Sequence, residues 1–128
     1  MLDTGHLMHT NTDIRSQQEA IAYIHTVLDR HGQLCGYIKG IHLNQSLSGA
    51  YLKEAVKNPI KLNGSYSERL SQVYPHIFSI DKHRPFEIGL QALIKRINPL
   101  YLTHEFLTDD REEHGRFLQL QNKAISMD

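Results

Sequence analysis

The stretch Leu70–Ile97, LSQVYPHIFSIDKHRPFEIGLQALIKRI, decides how this chain is read. It holds a predicted helix end at Pro75 and a short apolar segment of Ile77, Phe78 and Ile80. A basic turn of Lys82, His83, Arg84 and Pro85 follows, then a second amphipathic segment. In that segment Phe86, Leu90, Leu93, Ile94 and Ile97 recur at i, i+4, i+7, i+8 and i+11, the stripe of a helix with a core-facing side. Lys95 and Arg96 project away from the stripe. The expectation is a cationic bend held between two buried helices.

Outward from this stretch, Ser65-Tyr66-Ser67-Glu68 is a capping box that starts the helix leading into it. Asn63-Gly64 before it signals a turn, and Ile60-Lys61-Leu62 alternates as a short half-buried strand would. Asn58-Pro59 ends a helix capped by Ser46 or Ser48, whose buried side is Ala50, Tyr51, Leu52, Ala55 and Val56. From Gln33 to Asn44, Leu34, Tyr37, Ile38 and Ile41 keep a helical rhythm. Gly36 and Gly40 weaken it by about 1 kcal/mol each relative to alanine, and suit close packing better than a ligand. Cys35 has no adjacent base and reads as inert. A second capping box, Ser16 to Glu19, opens a helix with Ile21, Ile24, Val27 and Leu28 inside and Gly32 as its stop. Beyond Asn98-Pro99, residues 100–106 bridge to a last helix over 108–124, with Asp109, Asp110, Glu112 and Glu113 in its first turn. The chain thus divides into a mobile N-terminal arm (1–15), a helical core (16–107) and an acidic C-terminal helix (108–128). The fold class is mostly α with a small β element, α+β, in a single compact domain.

The 128 residues are 40% apolar and 22% charged, ordinary values for a globular domain. No apolar run is long enough for a membrane span, the first residues lack a signal-peptide pattern, and the one cysteine excludes an internal disulfide. A cytoplasmic location is expected. Net charge is zero, yet residues 31–99 hold nine basic and four acidic side chains, between acidic ends. A basic middle of that kind suggests a local polyanion site.

The pattern Tyr74-Pro75-His-Ile-Phe78-Ser, then Arg84-Pro85-Phe86-Glu-Ile-Gly89-Leu90, resembles the signature of the ProQ/FinO family of bacterial RNA-binding proteins and RNA chaperones. Leu34–His42, Tyr51-Leu52 and Ile60–Gly64 are similar to further blocks of that family. They precede the signature here and follow it there, so the resemblance implies a circularly permuted version of the domain. Two positions depart from the pattern: Ile41 stands where the family has a tyrosine that grips an RNA 3′ end, leaving His42 in the adjacent place, and Glu87 replaces a basic residue. Arg84 and Lys39 match family basic residues. What the resemblance implies is post-transcriptional regulation through structured RNA, a hairpin with a single-stranded tail, and no cofactor.

RNA recognition needs Lys and Arg at phosphate spacing with aromatic or hydroxyl groups for sugars and bases. The expected contacts are Lys39, His42, Lys61, Lys82, Arg84, Lys95 and Arg96 on one face, with Tyr37 or Tyr66 stacking. The alternative is a winged-helix-like protein-interaction module, docking a protein partner through the acidic last helix. Catalysis is not expected. His6 and His9 sit three apart without a third ligand close in sequence, and Asp81 and His83 sit two apart in a turn that suits local hydrogen bonding. No nucleophile elbow, P-loop or dinucleotide fingerprint is present, so neither a metal nor a catalytic residue is assigned.

Overall fold

The computed structural model describes residues 1–128. Strand β1 (Leu2–Asp3) leads directly into helix α1 (Thr4–Met8), followed by α2 (Gln17–His31), a 3-10 turn (Gly32–Tyr37) and β2 (Gly40–Leu43). Helices α3 (Gly49–Lys57), α4 (Tyr66–Ile80) and α5 (Gln91–Ile97) then precede β3 (Tyr101–His104) and the last helix, α6 (Arg111–Ile125). The strands form one parallel sheet in the order β1-β2-β3. The architecture is a mixed α+β fold, mostly helical, with helical crossovers joining parallel strands as that geometry requires. No helix is long and apolar enough to cross a membrane.

Alternation along the strands separates two faces. Ile41 and Leu43 are fully buried and join one core with Ile24 and Leu28 of α2, Leu93 and Ile97 of α5, and Ala124 of α6. The register Asp3↔His42↔Thr103 and Gly40↔Tyr101 puts Asp3, Gly40, His42, Tyr101 and Thr103 on the opposite face. The half-exposed Tyr101 ring lies across Gly40, where a Cβ would come within 2.2 Å of it, so a larger residue there would turn the ring aside.

Both capping boxes form as the sequence predicts, at Ser16–Glu19 and Ser65–Glu68, and Asp110 caps α6. Other expectations are corrected. Residues 1–15, read as a mobile arm, are built into the body: β1 pairs with β2, the Thr4 hydroxyl donates to the Asn44 carbonyl at 2.6 Å, and Met8 and Ile14 are buried. Residues 40–43, read with a helical rhythm, are the central strand, and 101–104, read as a bridge, are an edge strand. The strand expected at Ile60–Leu62 is an exposed loop with no pairing partner. Pro75 does not end its helix but lies inside α4, whose outward position leaves the Ser71 carbonyl, freed by the missing N–H, open to water.

The segment Phe86–Ile97 is buried as its stripe predicts at Phe86, Leu90, Leu93 and Ile97, but only residues from Gln91 onward are helical. Helices α3 and α4 contain no fully buried residue. They form a hairpin on the outside of the body, with Val56 80% and Phe78 56% exposed. The cationic bend is therefore flanked by one exposed helix and one buried segment.

Candidate metal centre

The carboxyl ends of the strands converge on a cluster of imidazoles and carboxylates. Asp3 ends β1 and caps α1: its Oδ1 accepts the His6 N–H at 2.9 Å, while its Oδ2 lies 2.8 Å from His6 Nδ1. Both roles follow from the local run Asp-Thr-Gly-His, in which an extended aspartate starts a helix and a histidine three residues later turns back on it. His42 faces the same way from β2, because strand alternation sends Ile41 and Leu43 into the helical core and His42 to the other side. Glu105 directly follows β3, with its Oε2 3.2 Å from His42 Nδ1. Asp3, His42 and Glu105 each offer a ligand atom, all within 4.8 Å of one another.

A second set is delivered by α1 and the turn after α4. His6, Asp81 and His83 likewise offer ligand atoms within 4.8 Å of one another. The His6 ring reaches Asp81 at 3.5 Å through Nε2, and His9 Nδ1 reaches the same carboxylate oxygen at 3.6 Å. His83 is held in place by its N–H donating to Ser46 Oγ at 3.2 Å and by the antiparallel bridge Gln45↔Arg84. It adopts φ 45°, a left-handed backbone that a non-glycine residue adopts at a cost. It is also buried, with a ring Nε2 that has no hydrogen-bond partner. A buried imidazole whose Nε2 makes no hydrogen bond within the protein keeps a lone pair available for ligation.

Two groups, Asp3 in the cluster and His9 beside it, have shifted protonation equilibria. Burial lowers the His9 pKa, and His6 adds to this, while Asp81 opposes it. Burial pushes the Asp3 carboxyl upward, but the His6 N–H, the His6 ring and the Asn44 amide together leave it below the ordinary aspartate value. Asp3 is thus an anion at neutral pH, the form a ligand takes, while His9, outside both sets, is a neutral base beside Asp81.

The residues expected to bind RNA are dispersed. Lys39 precedes β2 at its amino end, whereas Lys82 and Arg84 flank His83 at the carboxyl end. Lys61 sits in the loop joining α3 to α4. Arg96 is engaged with Asp29 and His25, and Lys95 with Gln91. Arg84 lies 5.2 Å over the Phe117 ring and 3.5 Å from Glu113. Lys82 and Arg84 do share a groove of about 930 Å³ with Tyr51, Phe78 and Asp81.

Of the residues expected to contact RNA, only His42 enters the cluster, while His6 of the His6/His9 pair and the Asp81/His83 pair, neither read as a metal site, are brought together there by the fold. Asp3, His6, Asp81, His83 and Glu105 were outside the expected site. The available signal was that Asp3-x-x-His6, His42-x-Asn44 and His104-Glu105 each close a short apolar run, a pattern legible only once those runs are taken as strands. No family model, curated protein or solved structure matches the chain.

Proposed function

We propose that the chain binds divalent transition-metal ions at the carboxyl edge of its sheet and serves as a metal-dependent hydrolase. The observation that carries this is the pair of ligand sets, His6/Asp81/His83 and Asp3/His42/Glu105, assembled from four separate segments. Mixed imidazole and carboxylate donors suit zinc, manganese, iron, cobalt or nickel better than calcium. Their place matches where open parallel sheets bind ligands, outside the carboxyl ends of the strands. Adjacent metal ions would supply Lewis acidity and an activated water. Within the protein, the three carboxylates hold the positive charge in place, and His9, second to Asp81, steadies that carboxylate. Two divalent ions would more than offset Asp3, Asp81 and Glu105, turning the edge electropositive toward an anionic ester beside Lys82 and Arg84.

Metal content after dialysis against Zn²⁺ or Mn²⁺, followed by removal of excess, tests the reading. About two ions per chain are expected, falling to about one in His42→Ala and in His83→Ala, with hydrolysis of bis(p-nitrophenyl) phosphate lost in both. Retention no greater than that of a His42→Ala/His83→Ala double variant would sink it.

RNA binding is the second reading, favoured by Lys82, Arg84 and the exposed Phe78 around one groove. Retention on a mixed RNA pool that weakens steeply with salt in metal-free protein, and is lost in Lys82→Ala/Arg84→Ala, would support it. A permuted ProQ/FinO-like arrangement belongs to that same proposal.

A further inference from the structure

Asn44 follows β2 and is completely buried between the two carboxylates of one ligand set. Its amide nitrogen faces Asp3 Oδ1 and Glu105 Oε2, each at 3.4 Å. The orientation is chemically forced, since carboxylates only accept and the amide nitrogen has two hydrogens to give. Its main chain is clamped as well: the Thr4 hydroxyl accepts the Asn44 N–H at 3.0 Å and donates to the Asn44 carbonyl at 2.6 Å. The side-chain Oδ1 is buried without a partner. It fills the space over Gly5, where a Cβ would come within 1.8 Å of it. With no protein partner for Oδ1, the amide's orientation is set by the two carboxylates that its nitrogen faces.

We propose that Asn44 is the positioning residue of the Asp3–His42–Glu105 centre, holding the two carboxylates apart so that a divalent cation can enter between them and His42. This inference rests on the metal reading. By giving one N–H to each carboxylate, Asn44 occupies Asp3 Oδ1 and lowers the repulsion between the two anions beside His42. The Asp3 Oδ2 stays turned toward His42 Nδ1, 3.9 Å away, while Glu105 approaches the same nitrogen. Gly5 belongs to the same device, because any larger residue would drive the amide out of line. Groups that orient metal ligands in this way typically contribute about 10- to 100-fold to metal affinity.

The test is Co²⁺ titration of the full chain, followed by the visible d–d spectrum, with far-UV circular dichroism as a check on folding. Asn44→Leu keeps the volume and removes the donors; Gly5→Ala leaves every ligand and Asn44 itself in the sequence while displacing the amide. Both are expected to weaken one Co²⁺ site by about 10- to 100-fold and to change its spectrum, with the His6/Asp81/His83 site unaltered. If Asn44→Leu unfolds, Gly5→Ala decides alone. Wild-type affinity and spectrum in a folded variant would overturn the positioning role while leaving the metal centre standing. Failure of the wild-type chain to bind Co²⁺ at all would remove the metal reading and this role with it.

Discussion

Gln121 Nε2 donates to the backbone carbonyl of Leu43 at 2.9 Å, across 78 residues of chain. The same side chain accepts the Phe86 N–H at 3.0 Å and contacts His104 Nδ1 at 2.9 Å. One buried amide on α6 therefore ties together the end of β2, the end of β3 and the segment that follows the cationic bend. Gln121→Leu would leave the buried Phe86 N–H without a partner and the Leu43 carbonyl with only the Glu105 N–H at 3.3 Å. A loss of about 1–3 kcal/mol is expected, read as a lower urea midpoint at unchanged slope; no change in midpoint would show that water replaces the amide.

Phe86 and Phe78 lie on either side of the bend and differ in burial, one inaccessible and the other largely exposed. Phe86→Ala should cost about 3–5 kcal/mol through the cavity it leaves. Phe78→Ala should stay within about 0.5 kcal/mol. Paired chemical denaturation curves compare them directly. Equal losses would mean that the exposed hairpin is packed against something in solution.

Pro75 interrupts the hydrogen-bond ladder of α4. Pro75→Ala restores a donor to the Ser71 carbonyl and removes the ring clash, a local gain of up to about 3 kcal/mol. Amide hydrogen exchange should show greater protection across residues 72–80. Unchanged protection there would imply that the helix is already relaxed around the proline.

Cation binding to the folded chain alone should stabilise it by mass action. Zn²⁺ at a hundred times its dissociation constant adds about 2.7 kcal/mol, visible as a raised melting temperature that EDTA reverses. The rise should shrink in His42→Ala and again in His42→Ala/His83→Ala.

Burial holds the His25 pKa below its usual 6.5, and the Arg96 guanidinium lowers it further against the opposing charge of Asp29. A base with a depressed native pKa binds fewer protons folded than unfolded, so its contribution to stability rises with pH and levels off above about 6.5. As pH falls through the window between the native value and 6.5, stability is lost. Arg96→Ala should move the His25 titration upward toward 6.5 in an NMR pH series; a downward move would contradict the electrostatic account.

Features that depend on neighbours within one turn of chain were legible from the sequence. The Ser16 and Ser65 capping boxes, the turn at Gly64 and the acidic start of α6 are all where residue chemistry places them. So were the buried positions Phe86, Leu90, Leu93 and Ile97, although their spacing suggested one continuous helix. The strands were not legible. Gly40–Leu43 is too short to distinguish a period of two from one of 3.6, and Leu2–Asp3 has no pattern at all.

By itself the sequence determined where α2, α4 and α6 begin and which residues of Phe86–Ile97 are buried, because hydrophobic spacing and backbone capping act over a few residues; it did not show that α3 and α4, read as buried, lie exposed. Only the tertiary structure decided that Asp3, His42 and Glu105 meet, since parallel pairing aligns strand ends that no local signal connects. His42, with no carboxylate nearby along the chain, thereby meets Asp3 and Glu105 across the sheet. The convergence of these three side chains is a property of strand register, and register is set by pairing between distant segments.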